Sequence, residues 1–355
     1  TVPAAFAIAE QIGRVNGKDF ITAVTLGIDV ICRLGLANKE GPAGPGGWIL
    51  TPLYGYFGAA IAAGKLLGLD EVGLINAMGI AYSQAAGNHQ CIDDGALTKR
   101  MQAGFAAKGG VLAAGMAKKG ITGATNSIEG RCGLYRNYHK GDYNPAPLTS
   151  ELGKKFEVVN LSYKPYPSCR SNHPYVDAAL ALRREHNIGP DEVVEIIATV
   201  NKPLDVHPLF HPLEVKRNPR TIVDAQFSVP YNVACALVKG RVVIDDFSET
   251  AIRDAAVIGL ANKVAPRFDP ALARREMTPA MLEIRTKSGT YSKFIDFAYG
   301  HPKNPMDIEA IIEKFRDCAN HAAKPLSKAN IAKVIELSTK LEELDDVGEI
   351  VRLLG

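Results

Sequence analysis

The sequence holds little of what marks the common function classes. Its six cysteines, at 32, 91, 132, 169, 235 and 318, form no CxxC pair and no regular series. That spacing excludes a disulfide framework and suits a reducing compartment, here expected to be the cytoplasm. Charge of one sign is not in excess: 41 Lys and Arg face 38 Asp and Glu, a net +3. So even a balance leaves no electrostatic footprint for nucleic acid, and no basic run carries interleaved aromatics. No apolar run approaches membrane-span length without a Gly or a charge interrupting it, so no membrane partner is expected. Cofactor and nucleophile signatures are absent too: no GxGxxG after a strand, no phosphate-loop GK motif, no GxSxG and no HExxH. His207 and His211 stand four apart, but Pro208 and Pro212 keep them off one helical face. They read as loop histidines, and no metal is expected.

What is present is an ordinary enzyme composition, 46% hydrophobic and 22% charged over 355 residues, enough for two domains and a large core. Thr1-Val2-Pro3 runs straight into an amphipathic pattern over 4–15, which reads as a cut through a longer protein. A second helical pattern covers 19–36, with apolar side chains at 20, 21, 24, 28, 31 and 34. Residues 38–52 hold six Gly or Pro close together at 41–47, a further Pro52 and the single Trp48, a loop that crosses the surface or borders a site. Ala- and Gly-rich helices follow at about 53–68, 71–86 and 99–119, with no convincing strand before 120. From 151 the pattern changes. Residues 156–163 alternate as a strand does, 193–200 are β-branched, and 281–286 with 291–296 read as a hairpin. Helices are expected between them, at 174–186, 228–238 and 249–263, and again at 307–322, 327–339 and 346–353. The fold class is therefore mainly α with an inserted α+β domain. One helical domain takes 1–155 and 300–355, and a smaller α+β lid takes 156–299.

Three polar clusters interrupt this pattern. The first runs from Asn88 through His89, Asp93 and Asp94 to Thr98-Lys99-Arg100 at the mouth of a small-residue helix. Asp94 or Thr98 can cap that helix. A Lys at a helix N-terminus opposes the dipole unless a bound anion accounts for both, or unless Lys99 is simply solvated. The second is Lys164-Pro-Tyr-Pro-Ser-Cys169-Arg170-Ser-Asn-His173-Pro174. Its prolines hold the chain extended, Pro174 opens a helix, and Asn172 or His173 falls at the cap. Such a turn is a good carboxylate site, or else a capped surface loop. The third is Asp224-Ala-Gln-Phe-Ser228-Val-Pro-Tyr231-Asn232. Ser228 can cap the helix there, and Tyr231 is either packing or a proton donor.

In order along the chain, TKRMQAGFAAKGG, KPYPSCRSNHPYVDAAL and DAQFSVPYNVACAL, with the tail HPKNPM…EKFRDCA…LEELDDV, resemble the MmgE/PrpD family. That family comprises 2-methylcitrate dehydratases, cis-aconitate decarboxylases and iminodisuccinate epimerases. The resemblance implies a helical domain built from both chain ends, an inserted α+β lid with the site between, a homodimer, and no organic cofactor. It places the active-site lysines at Lys99 and Lys164 and the site tyrosine at Tyr231. The sequence departs from the family in three places. Ile49 stands where a loop His is common, Cys169 where the decarboxylase branch has a His, and the family's N-terminal helices have no counterpart.

The chemistry this implies is proton transfer at carbon beside a carboxylate in a small di- or tricarboxylic acid. An enolate-like charge and several carboxylates call for fixed cations. Lys99, Lys164, His173 and Tyr231 are the catalytic candidates, and His89, Asp93, Arg170, Cys169 and Ser228 the substrate-binding ones. The first expectation is a 2-methylcitrate dehydratase-like hydro-lyase. An epimerase or isomerase of an imino- or amino-dicarboxylate and a cis-aconitate decarboxylase-like enzyme are the alternatives. A catalytically inactive carboxylate-binding paralogue stands behind these.

Overall fold

The computed structural model describes residues 1–39, 47–202, 207–272 and 279–355. Residues 40–46 of the Gly/Pro-rich stretch at 38–52 therefore lie outside the described residues. The chain divides into two compact units: 1–91, 97–160 and 322–355 form one, 92–96 and 161–321 the other. This departs from the expected boundaries in three places, the first being that 156–160 group with the helical unit. The helix Ile308–Asn320 groups with the α+β unit, and so does the short segment 92–96.

In the helical unit, Leu50–Leu66 is the central helix, with thirteen of its seventeen residues buried. Gly17–Ala37, Glu71–Tyr82 and Thr98–Lys118 pack around it. Small residues permit the approach. A Cβ on Gly58 would lie 2.4 Å from the Gly27 carbonyl oxygen, and one on Gly110 2.4 Å from Ala59 Cβ. Backbones so close forfeit large side chains but gain dense contact. Gly17–Ala37 is long and apolar enough to cross a membrane by length and composition alone. It also carries Asp29 and Arg33, a buried ion pair at 2.6 Å. Arg33 donates to the carbonyls of Pro147, Ser150 and Lys155, and Asp29 accepts from the Glu157 N–H at 2.6 Å.

Those bonds explain a miss. The expected strand at 156–163 is instead a 3-10 turn, Glu157–Asn160, because its backbone is claimed by Asp29 and finds no neighbouring strand. At the other end of the chain, Ser327 caps Lys328–Thr339 through the Asn330 N–H. Val347 packs with Ala5, Ala9, Val15 and Phe20 in a satellite core that joins both chain ends.

The α+β unit holds one four-stranded sheet, β1 (Val193–Val200), β2 (Val264–Phe268), β3 (Ala280–Thr286) and β4 (Thr290–Ile295), in the order β2-β1-β3-β4. β1 pairs parallel with β2 and antiparallel with β3, and β3–β4 is the expected hairpin. Sequence pattern missed β2 because Pro266 breaks it, but an edge strand tolerates a residue without an N–H. The expected helix at 249–263 shrinks to Ala255–Ala261, with Asp254 capping it through the Ala256 and Val257 N–H groups. His173–His186 and Val229–Lys239 supply most of the helical side of the core, with Val176, Leu182, Val233 and Leu237 fully buried.

Candidate functional site

The first cluster lies in the helical unit up to Cys91 and resumes at Leu97. His89 donates its N–H to the Gly47 carbonyl at 2.7 Å, and Asn88 bridges Trp48. Gln102 holds the turn from inside the helix, its amide nitrogen 2.9 Å from the Asn88 carbonyl and 3.0 Å from Cys91 Sγ. Neither Asp94 nor Thr98 caps Thr98–Lys118. The cap position falls on Leu97, whose φ of −62° and ψ of −19° are already helical, so the turn before runs into the helix. Lys99 and His89 are half-buried, while Asp93 is exposed and belongs to the α+β unit. Ile49 sits at the cap of Leu50–Leu66, its N–H bonded to the Gly87 carbonyl at 3.2 Å, and carries no titratable group.

The second cluster is built within the α+β unit and is the most unusual chemistry in the described residues. Its turn is pinned by Gln226: the Gln226 carbonyl accepts from the Cys169 N–H at 2.9 Å and from Asn172 Nδ2 at 3.0 Å. The Gln226 side chain returns a bond to the Pro167 carbonyl at 2.9 Å. Lys164 Nζ donates to the Ser168 carbonyl at 3.2 Å, and Lys314 Nζ to the Lys164 carbonyl. Asn172 is the cap residue of His173–His186, with Pro174 in the first turn, but its side chain does not cap: Nδ2 donates to the Gln226 carbonyl and Oδ1 makes no cap bond.

Inside this frame polar groups are buried with no partner among the described residues. All three guanidinium nitrogens of Arg170, both ring nitrogens of His173, Ser168 Oγ and Asn172 Oδ1 are such atoms. His173 is fully buried. Burial, then the charges of Arg170 and Lys164, bring its pKa down to about 3, so its imidazole is neutral at neutral pH. Burial likewise lowers the Arg170 pKa, opposed by Asp177. Asp177 accepts from Tyr166 Oη at 2.6 Å and from the Tyr299 N–H at 2.7 Å, and Tyr166 sets its ring edge-on to His173 at 5.2 Å. Burial raises the pKa values of both Tyr166 and Asp177. A buried donor left unbonded costs free energy, and a buried guanidinium costs more. Arg170 with neutral His173 beside it is therefore a place where a carboxylate gains hydrogen bonds that the protein does not supply.

The third cluster corrects two assignments. Ser228 Oγ accepts the Tyr231 N–H at 3.0 Å and donates to the Lys216 carbonyl, so both of its capacities serve the fold and not a substrate. It is the expected helix cap. Tyr231 is 1% exposed and donates its hydroxyl to the Asp246 carbonyl at 2.6 Å, with the Ala251 carbonyl at 3.3 Å. Burial raises its pKa, and a phenol so committed is core packing, not a proton donor to a ligand. Of the two histidines at 207 and 211, His207 is buried against Phe210 and takes the Leu209 N–H at 3.3 Å, its pKa brought down by burial to about 4.

Sequence reading placed Tyr166 and Ser168 in the second cluster without giving either a role, and missed Asp177 and Lys216 altogether. Lys216 lies in a mixed-charge run, LEVKRNP, that reads as solvated surface, whereas it is 5% exposed. Only burial distinguishes it.

Comparison with known proteins follows the same order along the chain. Residues 1–146 match the MmgE/PrpD N-terminal domain and 166–340 the MmgE/PrpD C-terminal domain. A cis-aconitate decarboxylase-like protein of Aspergillus oryzae is 27% identical over 100% of this chain and 76% of its own length. The cis-aconitate decarboxylase of Homo sapiens is 29% identical, covering 99% of this chain and 73% of itself. That of Aspergillus terreus is 26% identical over 100% and 75%. Two domain families of one kind, matched in order and with only a short interval between them, leave one assignment: the chain belongs to the MmgE/PrpD family.

Proposed function

We propose that the protein is a lyase acting on a small polycarboxylate, and that it releases CO₂ from a cis-aconitate-like tricarboxylate. The observation that carries this reading is the Arg170–His173 turn, where a buried guanidinium and a neutral imidazole stand unbonded within four residues. The matched relatives named as cis-aconitate decarboxylases support decarboxylation over the dehydration that motif resemblance put first. The same clamp serves both reactions, and the names of the relatives favour decarboxylation.

In the proposed reaction one carboxylate docks on Arg170 through paired N–H···O bonds. The bond between carbon and a second carboxylate breaks, CO₂ leaves, and the electron pair stays on the carbon skeleton. A proton delivered to carbon completes an unsaturated dicarboxylate. His173 supplies that proton: burial is the main cause of its low pKa, and a bound anion offsets the further lowering by Arg170 and Lys164, favouring protonation as substrate binds. Lys164 adds positive charge where the carboxylates sit. Asp177 and Tyr166 position the His173 ring. As part of the same reading the protein works as a homodimer in the cytoplasm. Exposed Met101, Phe105 and Leu112 on the Thr98–Lys118 helix support the homodimer.

Proton NMR in deuterated water against cis-aconitate, 2-methylcitrate and an amino-dicarboxylate tests the proposal. Loss of a carboxyl group from cis-aconitate is expected. Water loss from 2-methylcitrate alone would restore the dehydratase reading. Deuterium entering recovered amino-dicarboxylate would point to an epimerase, and inertness towards the whole panel to a binding paralogue.

A further inference from the structure

Lys216 sits in the five-residue helix Leu213–Arg217 and is 5% exposed. Among the described residues its Nζ makes no hydrogen bond and no ion pair. Its natural partner, Asp224, is held by Arg220 at 3.1 Å. Asp224 and Asp93 act on the ammonium only through space, and burial, with Arg220 acting in the same direction, outweighs them to lower its pKa. The fold therefore offsets only part of the cost of desolvating this charge.

The backbone around Lys216 is fixed to the Arg170 turn by one short segment. Gln226 accepts from the Cys169 N–H and from Asn172 Nδ2, and two residues later Ser228 Oγ donates to the Lys216 carbonyl. Cys169 lies within electrostatic reach of both cations, acting on Arg170 and on Lys216 alike. Arg170, with its guanidinium buried and unbonded, and Lys216, 5% exposed, thus flank the same turn and are anchored through the segment 226–228. We propose that Lys216 is a second carboxylate-binding residue of the Arg170 site, and that it makes the site select a tricarboxylate over a dicarboxylate. This rests on the reading that the Arg170 turn holds a polycarboxylate.

Calorimetric titration of the 355-residue chain with tricarballylate and with succinate tests it, using the wild type, Lys216→Met, Lys216→Arg and Arg170→Met. Lys216→Met should weaken tricarballylate by roughly ten- to a hundredfold and succinate by less than about threefold. Lys216→Arg should keep most of the tricarballylate affinity. The melting temperature of Lys216→Met without ligand should hold or rise, because an apolar side chain replaces an unpaired buried charge. Unchanged tricarballylate affinity in Lys216→Met, with Arg170→Met impaired, overturns the role of Lys216 alone. A lowered melting temperature with equal loss of both ligands overturns it in favour of a structural lysine. Unimpaired binding in Arg170→Met, or no binding by the wild type, removes the polycarboxylate reading itself.

Discussion

Arg170 and Tyr231 show how differently two polar side chains from motif-like segments are used. Arg170 keeps three buried nitrogens unbonded, whereas Tyr231 gives its single proton to the Asp246 carbonyl. The first is available to a ligand and the second is not. Arg170→Met should lower kcat/KM on the preferred polycarboxylate by roughly a hundredfold or more while the chain stays folded, since one preorganised charged donor is worth about that. Steady-state kinetics alongside circular dichroism read both halves of the claim. Tyr231→Phe should do the reverse. Leaving two carbonyls without their donor costs about 1–2 kcal/mol in a urea titration, while kcat stays within about twofold. Motif resemblance alone gives the opposite forecast for Tyr231, because a sequence records that a hydroxyl exists and not where its proton goes.

Elements were legible where local chemistry and tertiary demand agree. β1 falls on the expected residues because its β-branched run is buried along most of its length. Ser228 caps its helix as its position suggests. The failures share one cause. The 156–163 alternation lost its strand to a carboxylate 128 residues upstream, and β2 became a strand only because β1 lies beside it. The small-residue helix Thr98–Lys118 offers a paired test of packing. Gly110→Val places methyls against Ala59 and Ala60 and should cost about 2–3 kcal/mol or more. On the same helix a Cβ added at Gly104 would meet nothing within 4 Å, so Gly104→Ala should stabilise by about 0.5–1 kcal/mol. Denaturation midpoints of the two variants should move in opposite directions.

At the scale of the whole molecule, buried neutral histidines set the response to acid. Burial holds His173 near 3 and His207 near 4, both below the ordinary 6.5, and lowers His139 as well. The unfolded chain therefore takes up these protons first. Stability is complete above about pH 6.5 and falls as pH drops towards 3, by up to about 1.4 kcal/mol per pH unit for each histidine. Asp177 and Asp246, whose pKa values burial raises, act in the opposite sense as pH falls. His173→Asn should therefore recover about 2 kcal/mol of the loss between about pH 6.5 and 5, measured as the difference between urea titrations at the two values.

By itself the sequence determined the helical pattern, the small-residue packing, the hairpin and the family, because each is written in the order and spacing of neighbouring residues. Tertiary structure alone decided which polar groups are left unsatisfied. Lys216 looks like an ordinary surface cation until burial removes most of its water, and Ser228 and Tyr231 look like site residues until the carbonyls of Lys216 and Asp246 claim their protons. Desolvation and hydrogen-bond partnership depend on residues far apart in the chain, so no local pattern encodes them.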